Sequence, residues 1–299
     1  MIGLITNRRS AVNRARSAGT LQANIDGVRS VELDGMADAA QALHDLRHAR
    51  LLIVNGGDGS VQGLLTALHH EGRWRDAPAL AVLPAGETNL IARDLGMAGT
   101  PDQLLHRLLR EEGRLVTRAP LIVEQGNRSD VGLFAAGAGL SESILWCRQA
   151  LYRRGLPHGL SHALAATRAI GGALVGNCQS PATVAIDAAP PARRDLLVLI
   201  ATALKSLLFG QALAPPPGDG FQLITVARNR RTVATGLGDF LRGRLGARPI
   251  PGVGFDHVRR VALHGNSTPL VLDGEDIGLR PDGIVTLRAL PPLCFVELA

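Results

Sequence analysis

Two glycine-rich turns, each following an apolar run, are where this sequence could handle phosphate. In LLIVNGGDGSVQG the run Leu51–Val54 stops at Gly56-Gly57-Asp58-Gly59-Ser60, and a helical pattern follows. Glycines lack a Cβ, so backbone can come close to phosphate oxygens, and a helix start offers unpaired N–H groups to an anion. Ser60 adds a hydroxyl donor. Asp58 is the informative member, because a carboxylate beside phosphates is repulsive unless it holds a metal ion or takes up a proton. The plainer alternative is a tight turn with an Asp helix cap. The second turn lies in LAVLPAGETNLIARDLG, where Gly86, Thr88 and Asn89 stand at another strand-to-helix junction. A third segment, PLVLDGEDIG, spaces Asp273 and Glu275 two apart, which on a strand puts both carboxylates on one side. Its plainer alternative is a turn with solvated acids.

The surrounding pattern supplies elements to hold these turns. Short apolar runs at 2–6, 28–33, 51–54 and 79–83 alternate with helical spacing at 36–48, 61–69, 90–95 and 102–110. That alternation predicts an α/β domain with a parallel sheet flanked by helices. Such sheets bind ligands in the loops beyond the carboxyl ends of their strands, where both glycine turns fall. After about residue 118 short apolar runs separated by Gly and Pro predict a β-rich second domain, interrupted by a helical patch near 141–174. The expected division is 1–118 and 119–299, with the last strand, about 284–299, able to return to the first domain. Leu196 to Ala214 is apolar enough to test as a membrane span, but Lys205, Gly210 and Gln211 interrupt it. A buried strand, a turn and a second apolar segment is the preferred reading.

The formal net charge is +6, carried almost wholly by arginine, since Lys205 is the single lysine. A basic surface suits anionic headgroups or phosphate-bearing substrates. Aromatic residues make up only 3%, too few for base-stacking platforms, so no nucleic-acid partner is expected. Cys147, Cys178 and Cys294 are too far apart for a metal or disulfide framework, which predicts reduced thiols in a cytoplasmic protein. The start, MIGLITNRRS, has its apolar residues before its arginines, the wrong order for a signal peptide. There is no Walker-type G-x-x-x-x-G-K-[ST] and no H-E-x-x-H.

Taken in order, the motifs resemble those of the diacylglycerol kinase and sphingosine kinase superfamily of lipid kinases. Its GGDGT-type loop stands here as Gly56–Ser60, its P-x-G-T-x-N-type loop as Pro84–Asn89, its G-x-G-[FL] segment as Gly137–Leu140 and its late DGE as Asp273–Glu275. The resemblance spans nearly the whole chain. It implies a two-domain fold, ATP with Mg²⁺, and a lipid acceptor bound mainly by the β-rich domain. The nucleotide-binding residues it implies are Asn7, Arg8, Arg9 and Ser10, then Gly56, Gly57, Asp58, Gly59 and Ser60, and then Gly86, Glu87, Thr88 and Asn89. Metal contacts would come from Asp58, Asp273 and Glu275. The departures are Arg8 and Ala11 in the usual N-P-x-S-G, Ser60 for Thr, Gly63 for a common Glu, Glu87 for Thr or Ser, and Ser141 where an Asp often stands. In sphingosine kinases that Asp is associated with the sphingoid head group, so Ser141 points to a neutral acceptor, diacylglycerol or ceramide.

The expected reaction is transfer of the γ-phosphate of ATP to a lipid hydroxyl, by positioning and charge neutralisation. Arg8 or Arg9 would offset developing charge. Asp58 or Glu275 would accept the hydroxyl proton, with Asp58 slightly preferred. A patch carrying Trp146, Leu151, Tyr152 and Leu156 among Arg148, Arg153 and Arg154 would dock on anionic bilayers, placing the protein on the inner membrane face. A homodimer is allowed for. Two rival readings are a dinucleotide-binding oxidoreductase, since Gly57, Gly59 and Gly63 imitate a Rossmann fingerprint, and a lipid-binding relative of the kinase fold without turnover.

Overall fold

The computed structural model describes residues 1–15, 25–146, 181–207, 213, 220–241, 248–264, 270–277 and 283–298. The chain divides into two compact units, Met1–Arg118 with Pro292–Ala299, and Ala119–Pro291.

The first unit is built on β1 (Ile2–Asn7), β2 (Val28–Leu33), β3 (Leu51–Gly56), β4 (Ala79–Pro84), β5 (Arg114–Arg118) and the C-terminal strand β17 (Leu293–Glu297). The sheet order is β2-β1-β3-β4-β17-β5. Every neighbouring pair is parallel except β17 with β5. Strands β1, β3 and β4 are nearly continuous apolar runs, as parallel strands covered on both faces must be. Leu4, Ile5, Leu52, Ile53 and Leu80 are at most 1% exposed. Each such side chain contributes roughly 1.5–3 kcal/mol on burial. The covering helices are α1 (Ala11–Ala15), α2 (Ala39–Asp45), α3 (Asp58–His70), α4 (Leu90–Asp94) and α5 (Pro101–Leu109). Thr100 starts α5 with a reciprocal capping box to Gln103 and Pro101 at the first helical position. Helix α2 is shorter than the predicted 36–48, beginning only after Gly35 turns the chain at φ +104°.

The second unit is an antiparallel sheet. Its strands are β6 (Leu121–Gln125), β7 (Arg128–Gly132), β8 (Phe134–Gly137), β9 (Pro181–Ile186), β10 (Ala192–Thr202), β11 (Phe221–Ala227), β12 (Val253–Val258), β13 (Arg260–His264), β14 (Val271–Leu272), β15 (Glu275–Asp276) and β16 (Val285–Ala289). They run in the order β15-β14-β8-β10-β9-β13-β16-β6-β7, with β11 and β12 added through β10. Strand β10 is the junction. Its first half pairs with β9 and its second half with β8, while β11 joins along Leu196–Thr202 past a bulge. Alternate residues such as Leu121, Val123, Val261, Leu263 and Leu287 point into one core with Phe221 and Leu223. Helices α6 (Gly139–Trp146) and α7 (Arg230–Leu241) complete the described elements.

Strand β10 accounts for the first part of the 196–214 segment. Residues 208–212 and 214–219 lie outside the described residues, as does the expected docking patch from Arg148 to Leu156. Among the described residues no helix is long and apolar enough to cross a membrane.

Candidate active site

Strand order in the first unit reverses between β1 and β3, since β2 lies on one side of β1 and β3 and β4 lie on the other. In doubly wound sheets the ligand crevice opens at such a switch point, beyond the carboxyl ends of the strands. Asn7, Gly56 and Pro84 are the last residues of the three adjacent strands there. The two glycine turns are therefore neighbours in space.

They touch through backbone. A Cβ on Gly57 would sit 2.9 Å from the Cα of Gly86, and one on Gly86 would overlap the Cα of Gly57. Ala85 N–H donates to the Gly56 carbonyl (3.1 Å), and Val12 N–H to the Ala85 carbonyl (3.0 Å). Asn89, at φ +51°, clamps the second turn, accepting from Gly86 N–H (2.8 Å) and donating to the Gly86 carbonyl (2.9 Å). Its side chain thus shapes the loop. Gly86→Ala is expected to lower ATP affinity at least tenfold and to cost about 1–3 kcal/mol in stability; calorimetric titration and thermal denaturation check this.

A polar knot fills the carboxyl ends of β1 and β3. Asn7 Nδ2 donates to Ser60 Oγ (2.8 Å), and Ser10 Oγ lies 3.5 Å from Ser60 Oγ. Ser10 and Ser60 are buried. A Cβ on Gly56 would overlap Ser60, so that glycine exists to admit the hydroxyl. Two members were not singled out from sequence. Asn13 Nδ2 donates to the carbonyls of Asn7 (2.8 Å) and Asn55 (3.1 Å), and Asn55 Nδ2 donates to Asn13 Oδ1 (3.2 Å). Both are lone asparagines near the turns, and only the paired strand ends bring them together. Arg8 and Arg9 stand exposed beside the knot. Arg8 Nε lies 3.7 Å from Glu32 and 3.9 Å from Asp34, and the Arg9 side chain runs alongside Gly35.

Asp58 opens α3, and its carboxylate meets the start of α4. Its Oδ2 accepts from Leu90 N–H (3.0 Å) and its Oδ1 from Ile91 N–H (2.9 Å), the first two amides of α4. Burial pushes this carboxyl above the usual range, while the two amide donors and the charge of Arg93 pull it back.

The DGE segment is a hairpin turn. Strands β14 and β15 pair Leu272 with Glu275, and the two residues between them, Asp273 and Gly274, have φ +47° and +86°. A two-residue Asp-Gly loop with both φ positive is a type I′ turn. Asp273 and Glu275 therefore do not share a strand face, and the same-side expectation fails. The Asp273 carboxylate accepts from Leu133 N–H (3.0 Å) and Phe134 N–H (2.8 Å), and a Cβ on Gly132 would overlap it. Glu275, by contrast, is exposed.

Of the carboxylates expected to contact Mg²⁺, Asp58 and Asp273 each accept main-chain amides on both oxygens, and Glu275 is exposed. Among the described residues no group of three or more His, Cys, Asp or Glu side chains is placed to hold a metal ion.

Residues 2–119 match the family of the diacylglycerol kinase catalytic domain. This N-terminal part of the chain is thus similar to the catalytic domain of diacylglycerol kinases. No curated protein matches it in sequence. Among solved structures it resembles a diacylglycerol kinase from Bacillus anthracis str. Sterne (TM-score 0.62, 13% identity, 99% of this chain and 96% of that one). It also resembles a candidate diacylglycerol kinase from the same strain (TM-score 0.67, 14% identity, 99% and 94%). At these identities the likeness shows a shared fold.

Two departures from the superfamily pattern now have packing reasons. A Cβ on Gly63 would stand 2.6 Å from Met36 Cβ, so α3 lies too close to that residue for the common Glu. Ser141 is wholly buried and donates to the Ala138 carbonyl (2.7 Å), so it closes the start of α6. Glu87 and Thr88 are half-buried in the second turn.

Proposed function

We propose that this protein is an ATP-dependent lipid kinase that phosphorylates a hydroxyl of a neutral lipid, diacylglycerol or ceramide. The observation that carries the reading is the backbone contact of Gly57 with Gly86 at the switch point, inside a diacylglycerol kinase catalytic domain. Two glycine turns beyond three parallel strand ends, with the start of α3 beside them, are where a triphosphate would bind. Arg8 and Arg9 supply positive charge beside it.

In the proposed step the lipid oxygen bonds to the γ-phosphorus and the bond to the β–γ bridging oxygen breaks, so ADP leaves with that electron pair. The hydroxyl proton passes to a carboxylate. Glu275 is the candidate for this role, as an exposed acid that follows a two-residue hairpin turn. Magnesium commonly keeps several waters and rides on substrate phosphates, so it would enter with ATP. A neutral acceptor is favoured by Ser141, which puts no carboxylate beside a cationic head group. The surplus of arginine suits an anionic bilayer on the cytoplasmic side as the place of work.

The test is transfer of label from γ-labelled ATP in mixed micelles offering diacylglycerol, ceramide, sphingosine or monoacylglycerol singly. Label in diacylglycerol or ceramide supports the proposal and names the acceptor. Label only in sphingosine overturns the neutral-acceptor reading. ATP binding without label in any lipid favours the non-catalytic relative, and no ATP binding removes the nucleotide site.

A further inference from the structure

We propose that Asp58 is a positioning residue that staples the second glycine turn to the first, and is not the proton acceptor. The inference rests on the nucleotide reading above. Asp58 lies 32 and 33 residues before its two partners, and each carboxylate oxygen takes one of them. A two-point contact fixes the orientation of α4 as well as its distance. The same junction holds the Gly57–Gly86 contact, so the carboxylate sets the gap between the two turns.

Protonation of Asp58 would weaken the acceptor on which two main-chain N–H groups depend at a buried position, which is unfavourable. The carboxylate also fills the start of α4 with the chain's own negative charge. Nucleotide phosphate is thereby directed to the start of α3. Burial raises the Asp58 carboxyl, and Arg93, the charged group that acts on it from α4, joins the two amides in opposing that rise.

The experiment compares Asp58→Asn and Asp58→Ala with wild type in the full chain, without lipid for the first two readouts. Amide exchange at Leu90 and Ile91 is expected to rise about tenfold in Asp58→Asn and further in Asp58→Ala, while Leu80 to Leu83 keep their wild-type rates. ATP affinity is expected to fall about tenfold in Asp58→Asn, and the acid limb of its kcat profile is expected to remain. Wild-type exchange rates and wild-type ATP affinity in Asp58→Asn, with turnover lost, would instead make Asp58 the proton acceptor. Should the variants not fold, wild type alone decides: Leu90 and Ile91 exchanging as freely as exposed loop amides would refute the staple. Failure of wild type to bind ATP would sink the nucleotide reading, while the exchange data would still judge the staple.

Discussion

Glu275→Gln is expected to lower turnover by roughly 10²–10⁴-fold, the range usual for loss of a positioned general base. ATP affinity and thermal stability should stay at wild-type values. The substitution keeps the side chain's shape while removing its charge and its ability to take a proton. The type I′ turn is fixed by Asp273 and Gly274 and by the amides of Leu133 and Phe134. A readout by calorimetry and micelle assay separates binding from chemistry. Asp276→Asn, one residue along the same short strand, is the matched control and should retain turnover. Near wild-type transfer by Glu275→Gln would refute the assignment.

The second large effect concerns stability. Arg118, at the end of β5, donates from Nε (3.0 Å) and Nη2 (2.8 Å) to Asp94 at the end of α4, and Nη2 lies 3.7 Å from Glu297 on β17. The side chains of Arg118 and Asp94 are 4% and 0% exposed, so solvent screens the pair little. Arg118→Ala leaves a buried carboxylate without its cation and is expected to cost about 3–5 kcal/mol, read by chemical denaturation. Replacing both partners, Arg118→Met with Asp94→Leu, should recover much of the loss, because neither charge is then stranded. A double variant as unstable as the single one would show that packing, and not charge, sets the cost.

The elements of the first unit were readable because local chemistry and global pattern agree there. The apolar runs of β3 and β4 end at glycine turns and that of β1 at a polar loop, and each opens a helix, so these strands and the loops after them could be placed from residue types alone. The uses of the acids were not readable in the same way. Nothing local tells Asp58 that its partners are the amides of Leu90 and Ile91, nor pairs Arg118 with Asp94 and Glu297. Those links exist only after the sheet has assembled. The Asp273 turn is different. Asp-Gly between apolar residues is a strong hairpin signal, and the plainer alternative of a turn is the one the chain adopts, with Asp273 buried instead of solvated. Gly63 likewise looked like a lost acidic contact, although its closeness to Met36 makes it a packing requirement.

Strand β17 lies between β4 and β5, and that placement sets an order of events during synthesis. The ribosome makes β5 by residue 118 and β17 only at residues 293–297, after the whole of the second unit. Through that interval the nascent sheet has a gap where its fifth strand belongs, with the inner edges of β4 and β5 unpaired and Arg118 lacking Glu297. Unpaired edges invite wrong pairing, so the first half of the chain is the part most in need of protection by a chaperone before the last strand arrives. Removing the final eight residues should leave it in that state for good.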